Sequence, residues 1–242
     1  MKKLQNAIFI TGAGQRIGYY LAKRFLQETD YPVIFSYRTP RPQVEELISL
    51  GAVGLAADFT QPNSLPELIK QIKLHAGSLR AVIHNASLWL PDAGLEEGLV
   101  DMVSFKSLFQ LHVETPYCLN SALTPLLQSA TSPLKDIISI SDASVERMSE
   151  DHIAYLSSKA AMQTMMKGFA KKLAPDIKVN DIAPALIMFN EGDSETYKQK
   201  RLAQSALRIE PGPDVVWQAV QYLMGSTYTT GTVLPLDGGR CL

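Results

Sequence analysis

A tyrosine and a lysine four positions apart are the residues of this chain best suited to chemistry. Tyr155 and Lys159 stand in the run Tyr-Leu-Ser-Ser-Lys, and Asp142 precedes the tyrosine by thirteen positions. If residues 152–172 form a helix, side chains four apart lie on one face about a turn apart. Because an ammonium stabilises a nearby phenolate, we expect the pKa of Tyr155 to fall from ~10 toward the working range. Tyr155 is then a candidate proton donor to a bond that receives hydride, unless the pair is an ordinary feature of an exposed helix.

A glycine-rich turn near the N-terminus suits a dinucleotide. The apolar run 7–10 has the pattern of a buried parallel strand. It leads into Thr-Gly-Ala-Gly-Gln-Arg-Ile-Gly at 11–18, and a helical pattern follows over 19–27. Glycines at such a turn let the backbone approach a pyrophosphate, whose charge the helix N-terminus favours. This context predicts a dinucleotide site, although glycines alone would also suit a plain turn.

Strand and helix patterns alternate along the rest of the chain. Apolar runs predict further strands at 32–37, 53–56, 80–84, 136–141, 177–182 and 233–236. Helical patterns lie at 43–50, 65–74, 102–127 and 155–173. This alternation predicts an α/β fold: a single doubly wound (Rossmann) domain over 1–242, with a parallel sheet and helices on both faces. We expect the polar stretch within 186–210 to be mobile and to form a substrate lid.

Composition restricts the classes of function. The chain has 242 residues, of which 46% are apolar, so one core can bury about 70–75% of the unfolded surface. Lys and Arg number 23 and Asp and Glu 24, which gives no basic field for nucleic acid. Cys118 and Cys241 offer neither a disulfide framework nor a metal cluster, and this suits the reducing cytoplasm. No apolar stretch approaches the ~18 residues of a membrane span, and the one after Met1 is too short for a signal peptide.

The end of the second predicted strand favours NADPH over NADH. It reads Phe-Ser-Tyr-Arg-Thr at 35–39, without the carboxylate that would bind a ribose hydroxyl. Arg38 offers a planar fork of donors to a 2′-phosphate, and Ser36 or Thr39 can add hydroxyls. A solvated loop arginine is the alternative reading.

Several motifs in a fixed order together resemble the short-chain dehydrogenase/reductase family. They are Thr-Gly at 11–12 with Gly18, Asn85-Ala86 after a strand, Tyr155 with Lys159, and Leu-Asp-Gly-Gly at 236–239. The resemblance covers nearly the whole chain and implies a nicotinamide cofactor and a homotetramer or dimer. It implies cofactor contacts from Gly12, Arg16, Ile17, Gly18, Ser36, Tyr37, Arg38, Thr39, Asp58, Phe59, Asn85, Ala86, Ser87, Tyr155, Lys159, Pro184 and Ile187. Asp58 would accept from the adenine amine, although a plain turn aspartate fits as well.

Departures from the common family pattern resemble its pteridine reductase branch. Asp142 replaces the usual serine, Arg16 replaces a small residue, and Ser87 replaces a glycine, with Trp89 two residues beyond. An aspartate can accept an N–H from a pterin ring or pass a proton through water, and Trp89 can stack on the ring. The substrate contacts implied are Arg16, Ser87, Trp89, Asp142, Tyr155 and Leu186. Core packing by Trp89, pyrophosphate binding by Arg16 and loop capping by Asp142 are the structural alternatives.

The predicted reaction is the NADPH-dependent reduction of a 7,8-dihydropterin to its tetrahydro form, with weak dihydrofolate reduction as a side activity. Hydride would reach C6 while Tyr155 or Asp142 supplies the N5 proton, and Lys159 would bind the nicotinamide ribose. A carbonyl reductase acting on 3-oxoacyl thioesters is an alternative, against which Asp142 and Trp89 count. A non-catalytic NADPH sensor is another, but such proteins typically lose the tyrosine or lysine.

The sequence also allows predictions for His112 and Arg240. His112 stands where many relatives have an asparagine that supports the lysine through water. An imidazole can join such a relay, and its titration near neutrality would add a pH dependence. Arg240, near the end of the sequence, is expected to reach a neighbouring subunit's site.

Overall fold

The computed structural model describes residues 2–61, 63–92 and 101–242. The strands are β1 Ala7–Ile10, β2 Val33–Tyr37, β3 Val53–Ala56, β4 Leu79–His84, β5 Asp136–Ile140, β6 Lys178–Pro184 and β7 Val233–Leu236. The helices are α1 Arg16–Glu28, α2 Pro42–Ser49, α3 Ser64–His75, α4 Met102–Phe109, α5 Thr115–Gln128, α6 Ile153–Leu173, α7 Glu195–Leu202 and α8 Asp214–Gly225. A π-helical turn, Gln110–Glu114, joins α4 to α5, and a 3-10 turn, Ala143–Glu146, follows β5.

The seven strands form one parallel sheet in the order β3-β2-β1-β4-β5-β6-β7. Ile10 of β1 pairs with Phe35 of β2 on one side and with Ile83 of β4 on the other. The winding direction reverses between β1 and β4, and in such sheets ligands bind outside the carboxyl ends of the strands at that point. The glycine turn follows β1 directly, so the topology places it at this switch point.

Helices cover both faces of the sheet. On one face Phe25, Leu47 and Trp217, from α1, α2 and α8, are buried, and the rings of Phe25 and Trp217 meet edge to face at 4.8 Å. On the other face the packed helices are α3, α5 and α6, which bury Leu68, Leu123 and Met166. Because both faces are covered, the central strands contain uninterrupted apolar runs, such as Ala7–Ile10, rather than an alternation of apolar and polar residues. The doubly wound fold predicted from the sequence is confirmed.

The predicted strands match the observed ones within two residues, but the helices differ more. The single helix expected over 102–127 is two helices separated by the π-helical turn. Helix α7 lies inside the lid expected over 186–210. Helix α8 was not expected, although Val216, Val220 and Leu223 follow helical spacing and are fully buried. In the described ranges no helix has the length and apolar character needed to cross a bilayer.

Candidate active site

A cleft of about 1090 Å³ lies at the carboxyl ends of the strands, and a smaller cavity of about 120 Å³ adjoins it. The predicted site residues that line the cleft are Gly12, Arg16, Ile17, Gly18, Asn85, Ser87, Trp89, Asp142, Tyr155, Lys159, Pro184, Leu186 and Ile187. Those that line the smaller cavity are Gly12, Ser36, Tyr37, Arg38, Thr39, Asp58, Phe59, Ala86 and Ser87. The structure therefore brings every predicted site residue to one continuous surface.

The turn after β1 is locked to the end of β4. Gly12 has φ 67°, and a Cβ there would lie 2.7 Å from Ala86 Cα, so only glycine fits. The Thr11 hydroxyl accepts the amides of Asn85 and Ala86, both at 3.0 Å. The Asn85 side chain donates in return to the carbonyls of Thr11 and Gly12, at 3.1 and 3.0 Å. Asn85 thus fixes the shape of the glycine turn.

The N-terminus of α1 is open toward the cleft. In the described part of the chain, no side chain caps this helix at Gln15, and residues 15–18 line the cleft. The first amides of a helix lack partners inside the helix and favour an anion. The arrangement fits a dinucleotide pyrophosphate.

The smaller cavity carries two arginines at its rim. Arg38 and Arg41 both line it beside Thr39, and Arg41 was not predicted although it follows Arg38 by three residues. Ser36 is buried, and its hydroxyl accepts the Gly12 amide at 3.1 Å, so it supports the glycine turn. Asp58 Oδ1 accepts from the amide and hydroxyl of Thr60 at 3.1 and 2.8 Å, as the plain turn aspartate would. The two guanidinium groups fit a 2′-phosphate.

Tyr155 is hydrogen-bonded to Asp142 at the centre of the cleft. The phenol donates to Asp142 Oδ2 at 3.0 Å, while Asp142 Oδ1 accepts the Ser144 amide at 2.7 Å. Asp142 therefore caps the 3-10 turn and also faces the tyrosine. Burial raises the pKa of Tyr155 well above its usual value, and the Asp142 carboxylate raises it further. The expectation of a lowered tyrosine pKa is wrong for this structure, because desolvation and an adjacent anion both favour the neutral phenol.

Lys159 lies behind the tyrosine and is fully enclosed. Its Nζ donates to the Ile140 carbonyl at 2.9 Å and is 5.8 Å from the Tyr155 ring centroid. Burial lowers the pKa of Lys159 to about 8, although the charges of Asp142 and Asp181 act to raise it. The ammonium form therefore predominates at neutral pH.

A buried aspartate that was not predicted lies close to this lysine. Asp181 accepts hydrogen bonds from the hydroxyls of Ser139 and Ser141, and Gln163 donates to Ser141 at 2.8 Å. Burial raises the pKa of Asp181 to about 7, although both hydroxyls and Lys159 oppose the shift. Sequence could flag it only as a charged residue inside a predicted strand.

His112 is completely buried in the π-helical turn and holds one tautomer. The Ser158 hydroxyl donates to the Tyr155 carbonyl at 2.7 Å, so Nδ1 of His112 must donate to Ser158 at 2.8 Å. Nε2 is then an acceptor, which agrees with its contact at 3.4 Å from the Leu88 amide. Ser87 therefore donates its hydroxyl proton to Nε2 at 2.9 Å. Its lone pairs remain free to accept from a ligand.

The expectations for His112 need correction. Burial and the charge of Lys159 lower its pKa to about 2, so it does not titrate near neutrality. Its ring contacts Ser87 and Ser158 rather than supporting Lys159. His112 lies in the π-helical turn, which was not predicted from the sequence.

Trp89 and Arg16 both line the cleft. Trp89 is 64% exposed and stacks on His152 with centroids 4.3 Å apart, so it is not core packing. Arg16 donates to Asn190 Oδ1 at 2.5 Å and to the Met188 carbonyl at 3.1 Å. It thus joins the glycine turn to the expected lid.

The structure also shows where Arg240 lies and whether side chains are grouped to hold a metal. Arg240, expected to reach a neighbour's site, lines the cleft of its own chain. In the ranges that the structure describes, no group of three or more His, Cys, Asp or Glu side chains is placed to hold a metal.

A doubly wound sheet with this glycine turn and a Tyr-Lys pair defines a class of nucleotide-dependent oxidoreductases. A family model described as enoyl-(acyl carrier protein) reductase matches residues 12–240, and the chain belongs to the short-chain dehydrogenase/reductase family.

Curated relatives cover the whole chain. The chain is 47% identical over 235 residues to dihydromonapterin reductase of Klebsiella pneumoniae, with 97% of this chain and 96% of the relative covered. It is 45% identical over 246 residues to dihydromonapterin reductase of Escherichia coli O6:H1, with both chains covered completely. Among solved structures, FolM alternative dihydrofolate reductase 1 from Brucella canis, complexed with NADP, has a TM-score of 0.86 at 24% identity, covering 98% of this chain and 95% of that one.

Proposed function

We propose that this protein is an NADPH-dependent reductase that converts a 7,8-dihydropterin of the dihydromonapterin type to its tetrahydropterin. The observation that carries the proposal is the Tyr155–Asp142 hydrogen bond of 3.0 Å in a cleft walled by Trp89. A carboxylate beside the tyrosine can accept an N–H from a pterin ring, or take a proton from water or from Tyr155 and pass it to a ring nitrogen, whereas a ketone oxygen needs a donor. The names of the relatives that are 45–47% identical point to the same reaction.

The cofactor would bind across the switch point of the sheet. Its pyrophosphate would rest on the N-terminus of α1, and its 2′-phosphate would face Arg38 and Arg41. Asp58 and Phe59, which line the smaller cavity, would face the adenine, and Pro184 and Ile187, which line the cleft, would face the nicotinamide. When bound, NADPH supplies the hydride that the protein itself cannot supply.

The side chains of the site would manage the proton. Tyr155 keeps its proton at neutral pH because burial and Asp142 raise its pKa. Its Oη and Asp142 Oδ2 form the pair from which a proton reaches the substrate nitrogen, directly or through water. The Lys159 ammonium opposes the negative charge that this transfer leaves on the pair. Ser87, whose own proton is committed to His112, would accept an N–H from the pterin.

We further propose that the whole chain is one reductase domain, that 186–210 acts as its substrate lid, and that it works in the cytoplasm as a homotetramer or dimer. Assembly is supported by exposed apolar side chains on neighbouring helices, namely Met102, Val103, Phe105 and Tyr117.

The test is NADPH oxidation, followed by absorbance, with 7,8-dihydromonapterin, dihydrofolate and a panel of ketones. We expect fast turnover of the dihydropterin and little turnover of ketones. Tyr155→Phe should lower kcat by about 10²- to 10⁴-fold, the usual contribution of a general acid, while NADPH binding persists. Ketone turnover with silent dihydropterins would identify a carbonyl reductase instead. Tight NADPH binding without any turnover would identify a sensor.

A further inference from the structure

Three arginines from distant parts of the sequence meet on one wall of the cleft. Arg147 follows the 3-10 turn after β5, Arg201 lies in the last turn of α7, and Arg240 follows β7. None of the three belongs to the residues that the proposed reaction uses. The proposed reaction therefore does not explain why the three arginines lie together.

Neutral oxygen atoms hold these guanidinium groups together. Arg201 and Arg240 donate to the same atom, Gln204 Oε1, at 3.1 and 2.7 Å. Arg147 donates to the main-chain carbonyl of Arg240 at 2.9 Å. An amide oxygen shared by two cations positions them without neutralising their charge.

The cluster has no carboxylate partner among the residues that the structure describes. Arg24 and Arg80 form ion pairs with carboxylates, whereas Arg147, Arg201 and Arg240 form none there. In the same ranges, the buried Nε atoms of Arg201 and Arg240 have no hydrogen-bond partner. Burial, together with the like charges of Arg201 and Arg147, lowers the pKa of Arg240.

Four carboxylates also line the cleft, namely Asp142, Glu150, Asp151 and Asp193. Asp142 is hydrogen-bonded to Tyr155 and Ser144, and Asp193 accepts the Asn190 amide at 2.8 Å. The Asp142 carboxylate acts on Arg240, opposing the fall of its pKa. Arg240 thus lies within electrostatic reach of the residue that would face the pterin ring.

We propose that Arg147, Arg201 and Arg240 form an anion subsite for a carboxylate or phosphate group carried on the side chain of the pterin substrate. The inference rests on the proposed function. Guanidinium groups bind either anion through paired hydrogen bonds, and an incoming anion would relieve the repulsion among three clustered cations. The subsite would let the enzyme also accept acidic pterins, such as those with a glutamate tail or a phosphate ester, beside the neutral dihydromonapterin type.

The first test compares kcat/KM for three substrates: 7,8-dihydromonapterin, which is neutral, dihydrofolate, which carries two carboxylates, and a phosphate ester of dihydromonapterin. In Arg201→Gln we expect the ratio of kcat/KM for an acidic substrate to that for the neutral one to fall about tenfold or more, as for a charged hydrogen bond. The acidic substrate that responds identifies the group bound. Lys200→Gln removes an equal charge from the same helix outside the cleft and should leave the ratio unchanged. An unchanged ratio in Arg201→Gln for both acidic substrates overturns the subsite.

The second test is independent of turnover. p-Aminobenzoylglutamate and inorganic phosphate, neither of which contains a pterin ring, are titrated calorimetrically into the wild type, Arg201→Gln and Lys200→Gln, each saturated with NADP⁺ so that the phosphate sites of the cofactor are filled. We expect binding that weakens with added salt and is lost only in Arg201→Gln. If the wild type reduces no dihydropterin, the proposed function fails, and this titration alone decides the subsite. Absent binding, or equal binding in all three proteins, then overturns it.

Discussion

At the scale of single residues, burial decides how the ionisable groups of the site behave. Lys159 and Asp181 are both buried, and burial moves their pKa values toward each other, to about 8 and about 7. The phenol of Tyr155 is kept neutral by burial and by Asp142. Of these groups, Lys159 and Asp181 therefore titrate near neutrality, whereas Tyr155 and His112 do not.

Replacing Asp181 by Asn should change how stability depends on pH. Its pKa is about 7 in the folded protein and ~3.9 when unfolded. Between about pH 4 and 7 the folded state keeps a proton that the unfolded state releases, so this group lowers stability as pH rises through that window. One pKa unit corresponds to about 1.4 kcal/mol. We therefore expect Asp181 to lower the free energy of unfolding of the wild type by roughly 2 to 4 kcal/mol between pH 4 and 8, and we expect Asp181→Asn not to show this decrease.

The measurement is the free energy of unfolding in urea from pH 4 to 8. Asp176→Asn, which changes an exposed aspartate just before β6, is the matched control and should follow the wild-type curve. If Asp181→Asn also runs parallel to the wild type, Asp181 does not titrate as the structure indicates.

The sequence predicted which residues form the site better than it predicted how those residues behave chemically. The spacing of Tyr155 and Lys159 predicted a helix that brings the two side chains to one face, and α6 does so. The direction of the tyrosine pKa could not be read, because it depends on the burial of the phenol and on its contact with Asp142. Asp181, Arg147 and Arg201 were missed, and Arg240 was expected at a neighbour's site, since only the folded chain brings these residues beside the predicted ones.

At the scale of elements, some strands and helices could be predicted from the sequence and others could not. The strands were predictable because burial on both faces leaves uninterrupted apolar runs, as in Ala7–Ile10. Helix α7 has no buried residue, so it lacks the apolar stripe by which helices are recognised. The π-helical turn at Gln110–Glu114 was not predicted either, and it carries the buried His112.

The contact between Arg16 and the segment 186–202 is the element-scale feature most open to test. Arg16 has φ 52°, a conformation that costs about 1–2 kcal/mol for a residue with a Cβ. Its guanidinium binds the side chain of Asn190 and the carbonyl of Met188. The side chain therefore ties the predicted lid to the glycine turn, and this tie offsets part of the backbone cost.

Asn190→Ala should loosen this segment, because it removes the side-chain acceptor of Arg16. We expect trypsin to cleave after Lys198, Lys200 or Arg201 about three- to tenfold faster, since a hydrogen bond to a charged group contributes about 1 kcal/mol or more. Digestion followed by mass spectrometry gives the rate at these sites. Gln199→Ala, an exposed change on α7, serves as the control, and equal rates in the two variants would show that Arg16 does not restrain the segment.

At the scale of the whole molecule, a buried charge cluster holds the end of the sheet opposite the cleft. Asp136, at the start of β5, pairs with Arg80 Nη1 at 2.5 Å and with Lys178 Nζ at 3.0 Å. Arg80 also donates to the Met224 carbonyl at 3.0 Å, and Lys178 donates to the Leu223 carbonyl at 2.5 Å. The two cations thus bind the last carbonyls of α8, where the helix dipole favours positive charge. One aspartate and the carbonyl end of α8 therefore face the two cations that join three strands to the final helix.

Asp136→Ala should destabilise the fold without touching the site. Burial raises the pKa of Asp136 against the effect of both cations, which indicates that forming the cluster yields little net stability. Breaking it is a different matter, because Arg80 and Lys178 would remain buried without a counter-charge, at a cost of about 3–5 kcal/mol. The free energy of unfolding in urea measures this loss. Lys70→Ala breaks the exposed pair with Glu67 at 3.6 Å and should cost less than about 1 kcal/mol. Equal losses in the two variants would mean that water reaches the cluster and that the sheet is held at this end by packing alone.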